Sequence, residues 1–253
     1  VVSRLLGADD ILILCHKNPD GDTIGSGAAL CLALQRLGKT AAVLCSDPIP
    51  AMYHFLPITV FDGSYTPRFV VAVDVAGIQL FGDRNNVAAY AERVNLCIDH
   101  HGSNSGYAYE TLLDDHAAAA AELLTTLIPE LGVQITPDIA ACLYTGIATD
   151  TGCFRFTNTT ADTHRAAAAL IEAGADVIAI SDPSATGEIL GPKYFREFTV
   201  RYVNQIVDAM KEAGAQTIVH ICGHMNPVYK EVDEIHSDAL SFDSVVPMKE
   251  ARE

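Results

Sequence analysis

The stretch Val94-Asn95-Leu96-Cys97-Ile98-Asp99-His100-His101 decides how this sequence is interpreted. Its apolar run is typical of a buried strand, because strands of a parallel sheet that is covered on both faces are apolar throughout. A carboxylate and two imidazoles follow at once, and such groups are costly to desolvate unless a cation compensates them. The stretch therefore predicts a buried strand that ends at a metal site.

Three more groups of acidic or histidine residues stand at the ends of similar segments. With the first, they are His16 with Asp20 and Asp22, Asp74 alone, Asp99 with His100 and His101, and Asp150 alone. Because the carboxyl ends of parallel strands meet at one edge of a sheet, we expect the four groups to converge on one polynuclear metal site. Imidazole and carboxylate donors favour Mn²⁺, Mg²⁺ or Fe²⁺. For the first group alone, a polar turn with a helix-capping aspartate is a serious alternative.

Apolar runs alternate with helical patterns along the chain. Strands are predicted at residues 11–15, 40–45, 69–75, 93–98, 175–180, 217–222 and 239–242. Helices are predicted at 24–37, 117–131, 137 to the loop at 149–152, 160–173, 192–213 and 227–235, with another starting at 248. The alternation predicts an α/β fold, a parallel sheet with helices on both faces.

The overall composition limits the classes of partner. Sixteen basic against 32 acidic residues give a net charge of −16, which repels long duplex nucleic acid. Seven cysteines occur without CxxC pairs, which favours a reducing, cytoplasmic environment. Neither an export signal nor a long apolar run is present, so no membrane partner is expected.

Four stretches resemble the motifs of the DHH phosphoesterase superfamily. They are HKNPDGD at 16–22, the lone Asp74, DHH at 99–101 and TDTGCFRFTNTT at 149–160. The order, the spacing and the placement at strand ends agree over residues 1 to about 181. The last motif is most similar to the oligoribonuclease and pAp-phosphatase branch, which is related to cyclic-dinucleotide phosphodiesterases.

The resemblance implies a dinuclear centre, with Mn²⁺ as the expected metal and Mg²⁺ or Fe²⁺ as alternatives. One ion would be held by His16, Asp20 and Asp74, and the other by Asp22, Asp74, His100 and Asp150, with Asp74 bridging. Asp99 would orient the site, and His101 would contact the phosphoryl oxygens or the leaving group. Arg155 and Asn158 are candidates for phosphate contacts, although Arg155 is equally well explained as a surface ion-pair former.

Residues 182–253 depart from that branch, whose members carry a glycine-rich second domain called DHHA1. The sequence here is instead similar to uroporphyrinogen decarboxylase-like, corrinoid-linked methyltransferases, which are (β/α)₈ barrels. His220 and Cys222 match a zinc-binding pair of that family, but its later cysteine is absent, so a metal-free pair is the better interpretation. We therefore expect a fusion, with a DHH domain at 1–181 and about a quarter of a barrel at 182–253. Such a fragment would dock on the DHH domain or form a homodimer.

The leading functional prediction is a Mn²⁺-dependent phosphohydrolase acting on a small nucleotide or short oligonucleotide, such as pAp, nanoRNA or a linear or cyclic dinucleotide. A pyrophosphatase-like hydrolase is an alternative, because a sister family uses the same metal constellation. Another is a metal-binding fusion or interaction protein that is catalytically weak, since it lacks the domain that positions substrate. A methyltransferase is disfavoured because most of its barrel is missing.

Overall fold

The computed structural model of the protein describes residues 1–174, 177–182, 187–212, 214, 216–221 and 223–242. Contacts divide the chain into two units, Val1–Ala175 and Asp176–Glu253. The strands of the first unit are β1 (Ile11–Leu14), β2 (Ala41–Leu44), β3 (Phe69–Val73), β4 (Leu96–Asp99) and β5 (Glu110–Leu113). Its helices are α1 (Val2–Gly7), α2 (Gly21–Arg36), α3 (Ala88–Ala91), α4 (Ala120–Glu130), α5 (Pro137–Asp150) and α6 (Ala161–Glu172).

The five strands of the first unit form one parallel sheet in the order β2-β1-β3-β4-β5. Alternate residues of a strand point to opposite faces, so β1 contributes to two hydrophobic clusters. Ile11 and Ile13 join the cluster built by α2, α4 and α5, whereas Leu12 and Leu14 join the cluster that contains α3. The predicted α/β fold, a parallel sheet with helices on both faces, is confirmed.

Several boundaries differ from the sequence prediction for local reasons. The strand β5 was missed because its four residues are only partly buried and half of them are polar. The helix predicted from residue 117 begins at Ala120, since Ala119 has an extended backbone with φ −159° and ψ 154°. Asp150, predicted in a loop, is the last residue of α5, so this group stands at a helix end and not at a strand end.

Two glycines let α2 and α5 approach each other closely. A Cβ atom at Gly25 would overlap the carbonyl oxygen of Cys142 and lie 3.2 Å from the backbone nitrogen of Gly146. At Gly146, a Cβ atom would lie 2.6 Å from Cβ of Ala121 and 2.7 Å from Oδ1 of Asp22. Any side chain at either position therefore forces the two helices apart.

The substitution Gly25→Ala is expected to lower the free energy of unfolding by about 3 kcal/mol, because the added methyl group meets backbone atoms that cannot rotate away. Urea denaturation followed by circular dichroism measures the change. Gly7→Ala is the matched control, since nothing lies within 4 Å of the added Cβ atom. Equal midpoints for Gly25→Ala and the unsubstituted protein would show that α2 and α5 are not packed this closely.

The second unit contains a separate parallel sheet. Its strands β6 (Val177–Asp182), β7 (Gln216–Ile221) and β8 (Ala239–Phe242) lie in that order. Its helices are α7 (Gly187–Tyr194), α8 (Arg201–Glu212) and α9 (Tyr229–Val232). The single helix predicted at 192–213 is interrupted, because Gly191 has φ 64° and residues 195–200 form a π-helical segment before α8.

Two sequence predictions in the second unit cannot be compared with the structure. Cys222 and the helix predicted from residue 248 lie outside the described residues. His220, the other member of the proposed zinc pair, has Nδ1 3.0 Å from the hydroxyl of Ser241. Among the helices that the structure describes, none has the length and apolarity needed to span a membrane.

Candidate metal centre

The turn between β1 and α2 carries the first group of predicted ligands. His16 donates from Nδ1 to the carbonyl of Lys17 at 2.8 Å, which leaves Nε2 facing the carboxylates. Nε2 lies 3.5 Å from Asp20 Oδ1 and 3.5 Å from Asp74 Oδ2. Asp20 is also the N-cap of α2, since Oδ1 accepts from the backbone nitrogens of Asp22 and Thr23, both at 3.1 Å. The capping explanation is therefore right for Asp20, and it leaves this carboxylate next to His16.

Asp74 stands between two histidines immediately after β3. It is 3% exposed and has a left-handed backbone with φ 60°, a conformation that is uncommon for residues other than glycine, asparagine and aspartate. Its Oδ2 faces His16, and its Oδ1 lies 3.5 Å from Nε2 of His100. The two oxygens of one carboxylate thus serve two neighbouring groups of side chains.

The second group joins three distant parts of the chain. Nε2 of His100 lies 3.2 Å from Asp150 Oδ2 and 3.9 Å from Asp22 Oδ2. Like His16, His100 directs Nδ1 to a backbone carbonyl, that of Ala117 at 3.2 Å, which is a common arrangement for metal-binding histidines. Asp22 is fully buried on α2, where its oxygens accept from the backbone nitrogens of Ala120 at 2.7 Å and Ala121 at 2.9 Å. Asp22 therefore also caps α4 across the site.

The donor atoms fit divalent metal ions. Two groups of three residues each bring one ligand atom per residue to within 4.8 Å of one another. The first group is His16, Asp20 and Asp74, and the second is Asp22, His100 and Asp150. Asp74 Oδ1 and His100 Nε2 are buried and have no hydrogen-bond partner, although they face the same space. Buried polar atoms without partners are rare in proteins, and a cation between them would satisfy both. Carboxylate and imidazole donors without a thiolate suit Mn²⁺, Mg²⁺ or Fe²⁺.

The pKa values of these groups reflect the same excess of negative charge. Burial alone would lower the pKa of His16, but contacts with Asp20 and Asp74 raise it to about 11. Burial would likewise lower the pKa of His100, but contacts with Asp150 and Asp74 raise it to about 11. Burial and the neighbouring Asp74 and Asp150 carboxylates raise the pKa of Asp22. Without metal, protons therefore occupy positions that a cation would take.

Asp99 holds His101 beside this centre, and its Oδ1 also accepts from the backbone nitrogen of His100 at 2.9 Å. The buried carboxylate accepts at Oδ1 from Nδ1 of His101 at 2.8 Å and at Oδ2 from Nδ2 of Asn104 at 2.6 Å. The bond to Asp99 is the main cause of a raised pKa of His101. Burial would raise the pKa of Asp99, but the bonds from His101 and Asn104 lower it. Sequence reasoning missed Asn104, for which the position in the loop after the DHH residues was the sole signal.

The two predicted phosphate contacts lie away from the ligand atoms. Arg155 is exposed on the turn after α5 and donates from Nε to the carbonyl of Gly152 at 2.8 Å. Asn158 donates to the backbone carbonyls of Ala118 at 3.0 Å and Asp150 at 3.1 Å, so it ties the start of α4 to the end of α5. Neither lines the cavity of about 180 Å³ at the centre, which is bounded by His16, Asp20, Asp74, Leu80, His101 and Asp150.

Comparison with known protein families places this centre in context. The model of the DHH family, N-terminal domain, matches residues 10–147, which is more than half of the chain and includes every site residue from His16 to His101. The chain belongs to the DHH family. The chain is also similar to the bifunctional oligoribonuclease and PAP phosphatase NrnA of Thermus thermophilus, with 36% identity over 186 residues, or 74% of this chain and 56% of that protein. The chain thus spans about half the length of this relative.

A second similarity covers the C-terminal part of this DHH-family chain. The uroporphyrinogen decarboxylase model matches residues 153–253. The methylcobamide:CoM methyltransferase MtbA of Methanosarcina mazei is 40% identical over 85 residues, or 34% of this chain and 25% of that protein. The match to the uroporphyrinogen decarboxylase model includes α6, whose Leu170 belongs to the core of the first unit. Both resemblances inferred from the sequence are confirmed.

Among solved structures, an exopolyphosphatase-related protein from Bacteroides fragilis is similar with a TM-score of 0.61 and 24% identity. The similarity covers 69% of this chain and 56% of that chain. At this level of identity the comparison supports the fold alone.

Proposed function

We propose that this protein is a dinuclear metal-dependent phosphoesterase that hydrolyses small nucleotides or short oligoribonucleotides. The position of Asp74 carries the proposal, because its two oxygens face two different ligand groups, each 3.5 Å from a histidine nitrogen. A carboxylate that bridges two cations is the arrangement that a two-metal hydrolase requires. The DHH family membership and the similarity to an oligoribonuclease and PAP phosphatase support the choice of reaction.

The residues assigned to each ion follow the two groups. His16, Asp20 and Asp74 would hold one ion, and Asp22, His100 and Asp150 the other, with Asp74 shared between them. Two bound divalent ions supply a Lewis acid for the phosphoryl oxygens and lower the pKa of a bound water. We propose Mn²⁺ as the native metal, with Mg²⁺ or Fe²⁺ as alternatives.

The protein itself orients a proton donor at the edge of this site. Because Nδ1 of His101 donates to Asp99, the opposite nitrogen, Nε2, is left to contact a phosphoryl oxygen or the leaving group. The bond to Asp99 raises the pKa of His101, which favours the doubly protonated ring, and the proton on Nε2 of that ring can pass to a departing oxygen. Asn104 fixes the other oxygen of Asp99, so the ring has one preferred orientation.

The size and charge of the site support a small substrate. The cavity of about 180 Å³ holds a phosphate group and little more, so the rest of the substrate lies outside it. The net charge of −16 disfavours long duplex nucleic acid. We therefore propose pAp, nanoRNA and dinucleotides as the substrate class, and Arg155, which is exposed near Asp150, as a contact for their outer phosphates.

We also propose that residues 1–181 form the DHH domain and that 182–253 form a methyltransferase-like βα segment. The separate parallel sheet of the second unit and its similarity to MtbA support this division. A homodimer and a cytoplasmic location stay predictions.

Removal of metal is expected to destabilise the protein, because four carboxylates then repel one another around Asp74. Addition of Mn²⁺ at 100 times its Kd stabilises a protein by about 2.7 kcal/mol, which corresponds to a rise in Tm of about 5–10 °C at this size. Differential scanning fluorimetry with and without EDTA measures the shift, and elemental analysis counts the ions. An unchanged Tm together with no retained metal would contradict the metal centre.

An assay on Mn²⁺-loaded protein tests the proposed reaction. The substrates are pAp, the dinucleotide pApA, pyrophosphate and bis-p-nitrophenyl phosphate. We expect hydrolysis of pAp and pApA to exceed that of pyrophosphate. Preference for pyrophosphate would instead support the pyrophosphatase-like alternative. Hydrolysis of none of the four would contradict a phosphoesterase and leave a metal-binding protein.

A further inference from the structure

Lys17 is an exposed cation on the loop that carries the first metal ligands. It follows His16 directly and precedes Asp20 by three residues. Its ammonium group makes no hydrogen bond or ion pair with the residues that the structure describes.

The backbone of Lys17 is fixed at the wall of the metal cavity. Its nitrogen donates to the carbonyl of Leu80 at 2.7 Å, and its carbonyl accepts from Nδ1 of His16 at 2.8 Å. Both His16 and Leu80 line the cavity. The backbone of Gly82 approaches from the same loop as Leu80, so that a Cβ atom there would lie 3.2 Å from Cβ of Lys17. The lysine stem thus starts from a rigid position next to the cavity and ends in a free ammonium group.

Other cations near this loop are already engaged. Arg84 lies 3.3 Å from Asp47, whose other oxygen accepts from the backbone nitrogen of Asn18. Arg155 lies outside this loop, at the other ligand group, since it follows Asp150 on the turn after α5. Lys17 is therefore the available charge on the side of His16, within the part of the chain that the structure describes.

A lysine at this position is suited to bind an anion that the metal ions do not hold. The small cavity accommodates one phosphoryl group, and a second phosphate on the same nucleotide must lie outside it. Lysine binds phosphate as a compact point charge, and its flexible stem can follow a group at variable distance. An unpaired ammonium group on a stem whose backbone is bound to two residues of the cavity lining is suited to supply such a contact.

We propose that Lys17 binds the non-scissile phosphate of substrates that carry two phosphate groups, such as a nucleoside 3′,5′-bisphosphate. The inference rests on the proposed function and specifies its substrate class. Lys17 would act as a specificity residue, with no part in the chemical step at the metal ions. Loss of its charge should therefore weaken binding of bisphosphates and leave monophosphates unaffected.

Paired substrates test this role. pAp and 3′-AMP differ by the 5′ phosphate alone, and release of 5′-AMP from pAp identifies the 3′ phosphate as scissile. In Lys17→Ala, kcat/KM for pAp should fall roughly fivefold to tenfold through KM, while kcat/KM for 3′-AMP stays unchanged. Lys17→Arg should retain most of the preference for pAp over 3′-AMP. Arg36→Ala, which removes an exposed cation at the end of α2, is the control and should change neither value.

Equilibrium binding of pAp and 3′-AMP to the Mn²⁺-loaded full chain makes the same comparison without turnover. An equal loss of affinity for both ligands in Lys17→Ala, or no loss of affinity for either, would overturn the role of Lys17. If the unsubstituted protein binds both compounds and hydrolyses neither, the proposed reaction is wrong. The ratio of the two dissociation constants still decides whether Lys17 selects the second phosphate.

Discussion

Asp74→Asn is expected to lower the rate of pAp hydrolysis by about a thousandfold or more, because one substitution weakens both metal positions. The carboxylate faces His16 with one oxygen and His100 with the other. An amide of the same shape has no charge and only one acceptor oxygen, so it cannot neutralise two cations. Metal ions contribute several kcal/mol of transition-state stabilisation, and each 1.36 kcal/mol is worth about tenfold in rate.

Asparagine is the informative replacement because it separates chemistry from folding. Position 74 has φ 60°, a region that asparagine tolerates better than alanine does. In the metal-free protein, the substitution removes repulsion between carboxylates but also the contacts of Asp74 with protonated His16 and His100, so the decisive measurement is the increase in Tm on adding Mn²⁺, which we expect to be lost. Asp83→Asn, on an exposed turn, removes the same charge and serves as the control. Equal pAp hydrolysis by Asp74→Asn and the unsubstituted protein would overturn the dinuclear assignment.

The sequence predicted where the candidate ligands gather because several of them lie within or directly after apolar runs, while their assignment to two ions came from the resemblance to the DHH motifs. Burial of a carboxylate such as Asp74, within the apolar run at 69–75, costs free energy unless a cation or a helix cap compensates its charge. The strands were predictable for the same reason, since runs as apolar as those of β1 and β3 leave no solvated face. Patterns of this kind depend on neighbouring residues alone, which is why they can be recognised without a structure.

Contacts between distant segments could not be predicted in this way. Asp22 caps α4 through Ala120 and Ala121, which follow it in the sequence by 98 and 99 positions, and no local sequence pattern indicates these contacts. The same holds for Asn158. Its place in the motif at 149–160 suggested a phosphate contact, but its amide donates to two backbone carbonyls instead. Asn104 resembles any polar loop residue until its bond to the buried Asp99 is seen. These residues acquire their roles from packing, which depends on the whole fold.

His101→Gln is expected to reduce kcat for pAp by about a hundredfold to a thousandfold, the usual contribution of a positioned proton donor. Glutamine can still donate a hydrogen bond toward the substrate, but it cannot deliver a proton to a leaving oxygen. His101 is 44% exposed, and its Nδ1 lies 3.5 Å from Asp74 Oδ1, so Asp74, His100 and His101 form a third possible ligand group. Because the bond to Asp99 at 2.8 Å engages Nδ1, we assign His101 to neither ion and expect metal content and the increase in Tm on adding Mn²⁺ to be retained. His116→Gln, at a fully exposed imidazole, is the matched control.

The supporting residues allow the role of His101 to be distinguished from a general disturbance of the site. Asn104→Ala removes one bond to Asp99 and leaves the bond from Asp99 to His101, so we expect a smaller loss in kcat, about tenfold, with KM unchanged. When His101 is already glutamine, Asn104→Ala should cause little additional loss, because its effect passes through the orientation of the imidazole. Steady-state kinetics of the two single variants and the double variant measure this coupling. Independent, multiplicative losses would show that Asn104 supports the metal ligands directly and that Asp99 does not transmit its effect to His101.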